Sequence, residues 1–96
     1  IEVLDLRTLI PWDRETVYAS VRKTNRVLVL HEAALTGGFG GELAASIASD
    51  CFKDLDAPPE RLGGAHTPVP FSTTLEKELY SPVPRLRPTV EHLLAF

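Results

Sequence analysis

The chain has 96 residues, 44% of them hydrophobic and 24% charged, with a formal net charge of −3. That is enough for one domain with a buried core and too little for a two-domain enzyme. The cationic side chains are scattered singly among an acidic excess, which excludes a basic stripe and, with it, nucleic acid as an expected partner. No apolar run is long enough to cross a bilayer and no signal-type segment is visible, so the expectation is a soluble, intracellular chain with no membrane partner. Cys51 is alone, which rules out a disulfide framework or a zinc site within the chain. There is no Met and Ile1 already lies inside a strand-like pattern, so residues 1–96 are expected to be a single domain cut from something longer.

The first six residues, Ile1-Glu-Val-Leu-Asp-Leu6, are aliphatic and β-branched and read as a strand that ends before Pro11. Asp13 then caps a helix. Glu15 and Thr16 fill its first turn, Val17, Tyr18 and Val21 mark one apolar face, Arg22 and Lys23 sit where the macrodipole favours cations, and Asn25 closes it. Arg26 to Leu30 is an unbroken apolar run, as expected of a strand covered on both faces. The next helix is expected from Phe39 to Phe52, with Leu43, Ile47 and Cys51 recurring every fourth residue and Ala44, Ala45 and Ala48 allowing close approach to a sheet. At its end Cys51 reads as a buried small hydrophobe rather than a nucleophile.

After the break at Ala57-Pro58-Pro59, Arg61-Leu-Gly-Gly-Ala65 suits a short strand whose glycines imply close approach of another backbone. His66-Thr-Pro-Val-Pro-Phe71 is expected to be extended, because each proline restrains its predecessor. Ser72 or Thr73 can cap a helix carrying Leu75 and Leu79. Ser81-Pro-Val-Pro84 interrupts again, and Arg87-Pro88 is expected to open a last helix with Val90, Leu93, Leu94 and Phe96 on its apolar side. Three strands separated by helices predict a parallel α/β layer structure.

Most of the chemistry lies at residues 31–45, where the strand feeds His31 and Glu32, then the glycine-rich turn, then the helix. Strand ends and the free N–H groups that open a helix converge on one edge of such a sheet. Gly37, Gly38, Gly40 and Gly41 permit positive φ and close backbone approach, and the following amides could cradle an anion. Neither the dinucleotide spacing G-x-G-x-x-G nor the Gly-Lys-Ser/Thr phosphate loop is present, so a tight packing turn is favoured over phosphate binding. His31 beside a carboxylate could be a general base or an interface hydrogen-bonder; without a nucleophile nearby in sequence, the structural role is favoured. His31, His66 and His92 lack metal-ligand spacing, and Glu76 and Glu78, two apart on a helix, point away from one another and read as a solvated face. No catalytic residue, cofactor-binding residue or metal ligand is assigned in this chain.

Asp5-Leu-Arg-Thr-Leu-Ile-Pro-Trp-Asp13, His31-Glu-Ala-Ala-Leu-Thr-Gly-Gly-Phe-Gly40 and Thr67-Pro-Val-Pro70 occur in that order. Together they resemble the C-terminal domain of the β subunit of thiamine-dependent 2-oxo acid dehydrogenases, over nearly the whole chain. Trp12 after Pro11, and His-Glu-Ala before Leu-Thr-Gly-Gly-Phe, lean towards the branched-chain (2-oxoisovalerate) enzyme, with the pyruvate and acetoin enzymes as alternatives.

The resemblance implies a transketolase C-terminal-type fold, a three-layer α/β/α sandwich with a mainly parallel sheet, here lacking the first strand and helix of the family pattern. It implies a decarboxylase of two α and two β subunits, in which thiamine diphosphate and Mg2+ are bound outside this chain. The parent enzyme decarboxylates a 2-oxo acid oxidatively and passes the acyl group to a lipoyl arm, in the bacterial cytoplasm or the mitochondrial matrix. The isolated domain is expected to be inactive and to support assembly with the α subunit and a second β subunit, His31, Glu32, Gly37, Gly38 and Phe39 being the candidate interface or packing residues. The end of the β subunit is implied to dock on the peripheral-subunit-binding domain of the dihydrolipoyl acyltransferase. That makes Phe96 the candidate docking residue, since a carboxylate beside a ring suits a cationic pocket, the alternative being a frayed helix end.

Two departures from the pattern stand out. His66 replaces a usual Asp and Val69 a usual aromatic residue, and the missing first strand leaves an edge or a helix-packing face bare, so the isolated fragment is expected to form homo-oligomers. Two readings from other classes compete: a stand-alone anion-binding α/β module using the turn at 37–41, and a hydrolase using His31.

Overall fold

The computed structural model describes residues 1–65, 72–75, 77 and 80–96. Its first helix, α1 (Arg14–Thr24), starts where Asp13 accepts from the Thr16 N–H at 3.1 Å and from the Thr16 hydroxyl at 2.7 Å. These two bonds hold the Asp13 carboxyl below its ordinary value. The helix stops at Asn25, which takes the left-handed conformation (φ 64°) and donates its N–H to Val21. The Asn25 amide reaches on to the Asp54 carbonyl at 2.7 Å, and the Asn25 carbonyl accepts from the Asp56 N–H at 2.8 Å. One residue thus ends α1 and fastens it to the turn that follows the second helix.

Strand β1 (Leu28–Ala34) and strand β2 (Glu60–Gly64) run parallel, joined by α2 (Phe39–Asp50) and a 3₁₀ turn, Phe52–Asp54. Parallel neighbours require such a crossover, and a helix is its usual filling. The core lies where α1 and α2 meet: Trp12, Val17, Val21, Leu43, Ile47 and Cys51 are buried, with Leu6, Tyr18, Val27, Val29, Phe39 and Leu55 packed against them. The four-residue recurrence of Leu43, Ile47 and Cys51 therefore is a core face, and burial pushes the Cys51 thiol up. Tyr18 crosses between the helices, donating to the Asp50 carboxylate at 2.6 Å. Beyond β2 come a three-residue helical piece, α3 (Thr73–Leu75), and α4 (Val83–Leu94).

The structure corrects the sequence reading in three places. Two strands, not three, pair among the described residues: Ile1–Leu6 forms no strand. Glu2 instead accepts from the Ser20 hydroxyl at 2.7 Å and the Lys23 ammonium at 2.9 Å, so the start of the segment is held against α1, and Leu6 packs on the core. β1 begins two residues later than Arg26 and runs on to Ala34, and it is not covered on both faces, since Leu30 is 47% exposed. The last helix opens at Val83 rather than Arg87, because the Ser81 hydroxyl accepts the Val83 N–H and Pro84 falls in the first turn, where a missing N–H costs nothing. Pro88 is then inside the helix and forfeits one rung of its ladder. The expected extended run His66–Phe71, the substitutions His66 and Val69, and Glu76, Glu78 and Leu79 lie outside the described residues.

Ile47 is 1% exposed at the centre of the core. Ile47→Ala is expected to cost about 3 kcal/mol in urea denaturation. On acidification, the contribution of the Asp13 cap, present above the ordinary carboxyl value of 3.8, is lost as pH falls through and below it. Melting temperature should therefore drop over that range, and Asp13→Ala should flatten the drop while lowering the melting temperature at neutral pH.

Candidate functional site

The edge where β1 ends and α2 begins is organised by an irregularity in the ladder. Leu30 pairs with Leu62 and Ala34 with Gly64, so β1 advances four residues while β2 advances two. The surplus forms a bulge at His31, Glu32 and Ala33, which frees the His31 ring to turn into the corner. There Nδ1 donates to the Ala33 carbonyl at 2.9 Å; a carbonyl can only accept, so Nδ1 carries the hydrogen. Nε2 is buried and has no partner among the described residues.

Three glycines make room for this ring. A Cβ on Gly38 would lie 2.9 Å from His31 Cε1, one on Gly63 2.7 Å from the same carbon, and one on Gly40 would run into Nε2 and Cδ2. Gly37 serves a different need, with φ +76° and open space around it. At Gly64 the limits are the Glu32 carbonyl and the Tyr80 ring. Two arginines close the corner: Arg61 donates to the Leu35 carbonyl at 3.1 Å and Arg85 to the Gly63 carbonyl at 2.8 Å. Neither had a signal in the sequence, since single cations in a strand or helix look like solvated surface and only the fold brings them to these carbonyls.

Of the candidates named from sequence, His31, Gly38 and Gly40 meet in this corner, and Gly37 stands at its open side. Glu32 is exposed, with its carbonyl rather than its carboxylate facing the glycines. Phe39 opens α2 and is half-buried against the core. Trp12, Pro11, Ile10, Arg14 and Glu42 join Gly37, Gly38 and Phe39 around an open groove of about 670 Å³. The Arg14 guanidinium lies 4.6 Å over the Trp12 ring.

Phe96 lies far from this corner in the sequence and serves another element. Its main-chain carbonyl accepts from Arg26 at 2.7 Å, and its ring, 55% exposed, meets His92 edge-on at 5.7 Å.

One nitrogen of His31 is bonded to a carbonyl, and the other is buried against Gly40. Cys51 is buried at the far end of α2. The helix N-terminus carries its own negative partner, Glu42, in its first turn. Among the described residues no group of His, Cys, Asp or Glu comes together as a metal site, and no helix is long and apolar enough to cross a membrane.

Fold and corner together define a small parallel α/β domain whose strand ends are filled by its own side chain. The description of the transketolase C-terminal domain matches residues 1–85, and the chain belongs to that family. It is 58% identical over 70 residues to the 2-oxoisovalerate dehydrogenase subunit beta 2 (mitochondrial) of Arabidopsis thaliana, covering 73% of this chain and 20% of that protein. It is 49% identical over 71 residues to the 2-oxoisovalerate dehydrogenase subunit beta of Pseudomonas aeruginosa, covering 74% and 20%. To the pyruvate dehydrogenase E1 component subunit beta-1 (mitochondrial) of Oryza sativa it is 47% identical over 76 residues, covering 79% and 20%. The chain thus spans about a fifth of the length of these relatives.

The cage is testable by a double-mutant cycle. Gly40→Ala is expected to destabilise the chain by about 2 kcal/mol, because ring and methyl cannot share one space. In a His31→Ala background the same substitution should cost less than about 0.5 kcal/mol, read by urea denaturation.

Proposed function

We propose that this chain is the C-terminal assembly domain of the β subunit of a branched-chain 2-oxo acid dehydrogenase. The observation that carries this is the 58% identity to a 2-oxoisovalerate dehydrogenase β subunit. The family and the fold are common to several enzymes, so the substrate rests on that similarity. The pyruvate enzyme is the second reading, favoured by a match that covers a larger share of the chain, 79%.

In this reading the parent decarboxylates 2-oxo acids oxidatively with thiamine diphosphate and Mg2+, and this domain contributes no reacting group. What supports placing the coenzyme elsewhere is that Glu42 stands beside the amides of Gly37 and Gly38 that a diphosphate would need. The two strands belong to a wider, mainly parallel sheet between helical layers. Leu62 and Leu93, buried outside the α1–α2 cluster, support a second layer on the α4 side. The partners are the α subunit, a second β subunit and, through Phe96, the peripheral-subunit-binding domain of the acyltransferase. The exposed Phe96 ring supports that docking, while the Arg26 bond holds the adjoining carbonyl to the domain itself. Relatives from Arabidopsis mitochondria and from a bacterium are consistent with the mitochondrial matrix or the bacterial cytoplasm. As an isolated chain the domain associates with copies of itself.

Calorimetric titration of the chain with thiamine diphosphate and Mg2+ should give no binding heat, and tight uptake would overturn the reading. In the full-length β subunit reconstituted with its α subunit, kcat/KM should favour 2-oxoisovalerate over pyruvate by at least about tenfold. The reverse preference moves the assignment to the pyruvate enzyme. Deleting Phe96 there should weaken binding to the acyltransferase domain, and unchanged affinity rejects that role.

A further inference from the structure

We propose that Arg26 and His92 are positioning residues that hold the Phe96 ring ready for an apolar pocket of a partner protein. The proposal rests on the docking of Phe96 to the peripheral-subunit-binding domain argued above and adds how this chain prepares the ring for it.

The residues after a helix ordinarily fray, because their main-chain groups have run out of ladder partners. Phe96, two residues beyond α4, is instead fixed on both sides. Its N–H donates to the Leu93 carbonyl at 3.4 Å, and the Ala95 N–H before it is shared between the Glu91 and His92 carbonyls at 3.1 and 3.2 Å. Leu93, 6% exposed, roots this turn in the domain. The Phe96 carbonyl takes its bond at 2.7 Å from Arg26, at the approach to β1 and 70 positions away in the chain. Arg26 is steadied in turn by Asp56 at 3.7 Å, while its Nε is buried with no partner among the described residues. An unpaired buried donor costs stability, which the bonds of the outer guanidinium nitrogens have to offset.

The ring is treated differently from the main chain. It meets the His92 ring edge-on at 5.7 Å and stays 55% exposed. Folding gains from covering such a ring, and fixing it while leaving it in water adds little to stability. Binding does gain, because a ring that is already ordered loses less freedom when a pocket closes over it. With its carbonyl taken by Arg26, the end of α4 offers a ring rather than a main-chain acceptor. The occupant that fits is an apolar hollow the size of one ring, the kind of pocket in which a buried aromatic carries much of an interface.

The full-length β subunit, assembled with its α subunit and titrated calorimetrically with the binding domain of the acyltransferase, tests this by double-mutant cycles. Arg26→Ala is expected to weaken binding about fivefold and His92→Ala about threefold, from the cost of ordering one side chain on contact. In a Phe96→Ala background, where no ring remains to be positioned, each should change affinity less than about 1.5-fold. Thermal unfolding reports any general loss of structure, and His92, which is exposed, carries the test if Arg26→Ala fails to fold. Losses that persist undiminished in the Phe96→Ala background overturn the proposal, since a purely structural role would act there too. So do variants that bind as tightly as the unaltered subunit or more tightly, which would make the Arg26 bond idle or a restraint on docking. If Phe96→Ala alone leaves affinity unchanged, the docking reading itself falls and takes this proposal with it, so the two failures are separate results.

Discussion

The packing of one imidazole against three glycines sets the geometry of this domain. The His31 ring occupies the volume that side chains at Gly38, Gly40 and Gly63 would need, so the strand end, the entry to α2 and the middle of β2 are drawn to it together. Gly38 caps the helix without a side-chain bond, and the helix therefore begins where backbone and ring meet rather than where a polar residue dictates. The bulge in β1 is the other half of the arrangement, because without the surplus residues opposite Gly63 the ring would follow the regular alternation of the strand.

From this corner the remaining elements are tied by single residues that each serve two of them. Asn25 ends α1 and holds the turn after α2. Arg26 links the approach to β1 with Asp56 and with the carbonyl at the end of α4. Arg85 returns α4 to β2 through the Gly63 carbonyl. Bonds of this kind from charged groups to backbone carbonyls contribute more than neutral ones, and they matter here because the core cluster is confined to the α1–α2 side.

What the sequence made legible is what local chemistry decides. Asp13 and Asn25 bound α1 because a carboxylate satisfies free amides and an asparagine tolerates positive φ; both signals are carried by one residue each. The four-residue recurrence in α2 and the glycines of β2 could be read in the same way. Ile1–Leu6 misled because strand propensity says nothing of whether an edge is in reach, and Glu2 had a nearer use for the chain on α1. Pro88 misled because a helix can carry a proline when Ser81 and Pro84 start it earlier. The corner itself was half visible: histidine and glycines stood together in the text, while Gly63, Arg61 and Arg85 came to it only through the fold.

Filling the strand ends with an internal side chain has a consequence for what such a domain can do. In open parallel sheets that edge is where ligands are received, because amides and strand termini converge there. Here the His31 ring packs among the glycines, Glu42 stands in the first turn of α2, the Nδ1 of His31 is bonded to the Ala33 carbonyl and its Nε2 is buried. Beside the corner lies the open groove walled by Ile10, Phe39 and Gly37 and charged by Arg14 and Glu42. Gly38 belongs to both, packing against the His31 ring and lining the groove, so the corner and the groove share one piece of backbone.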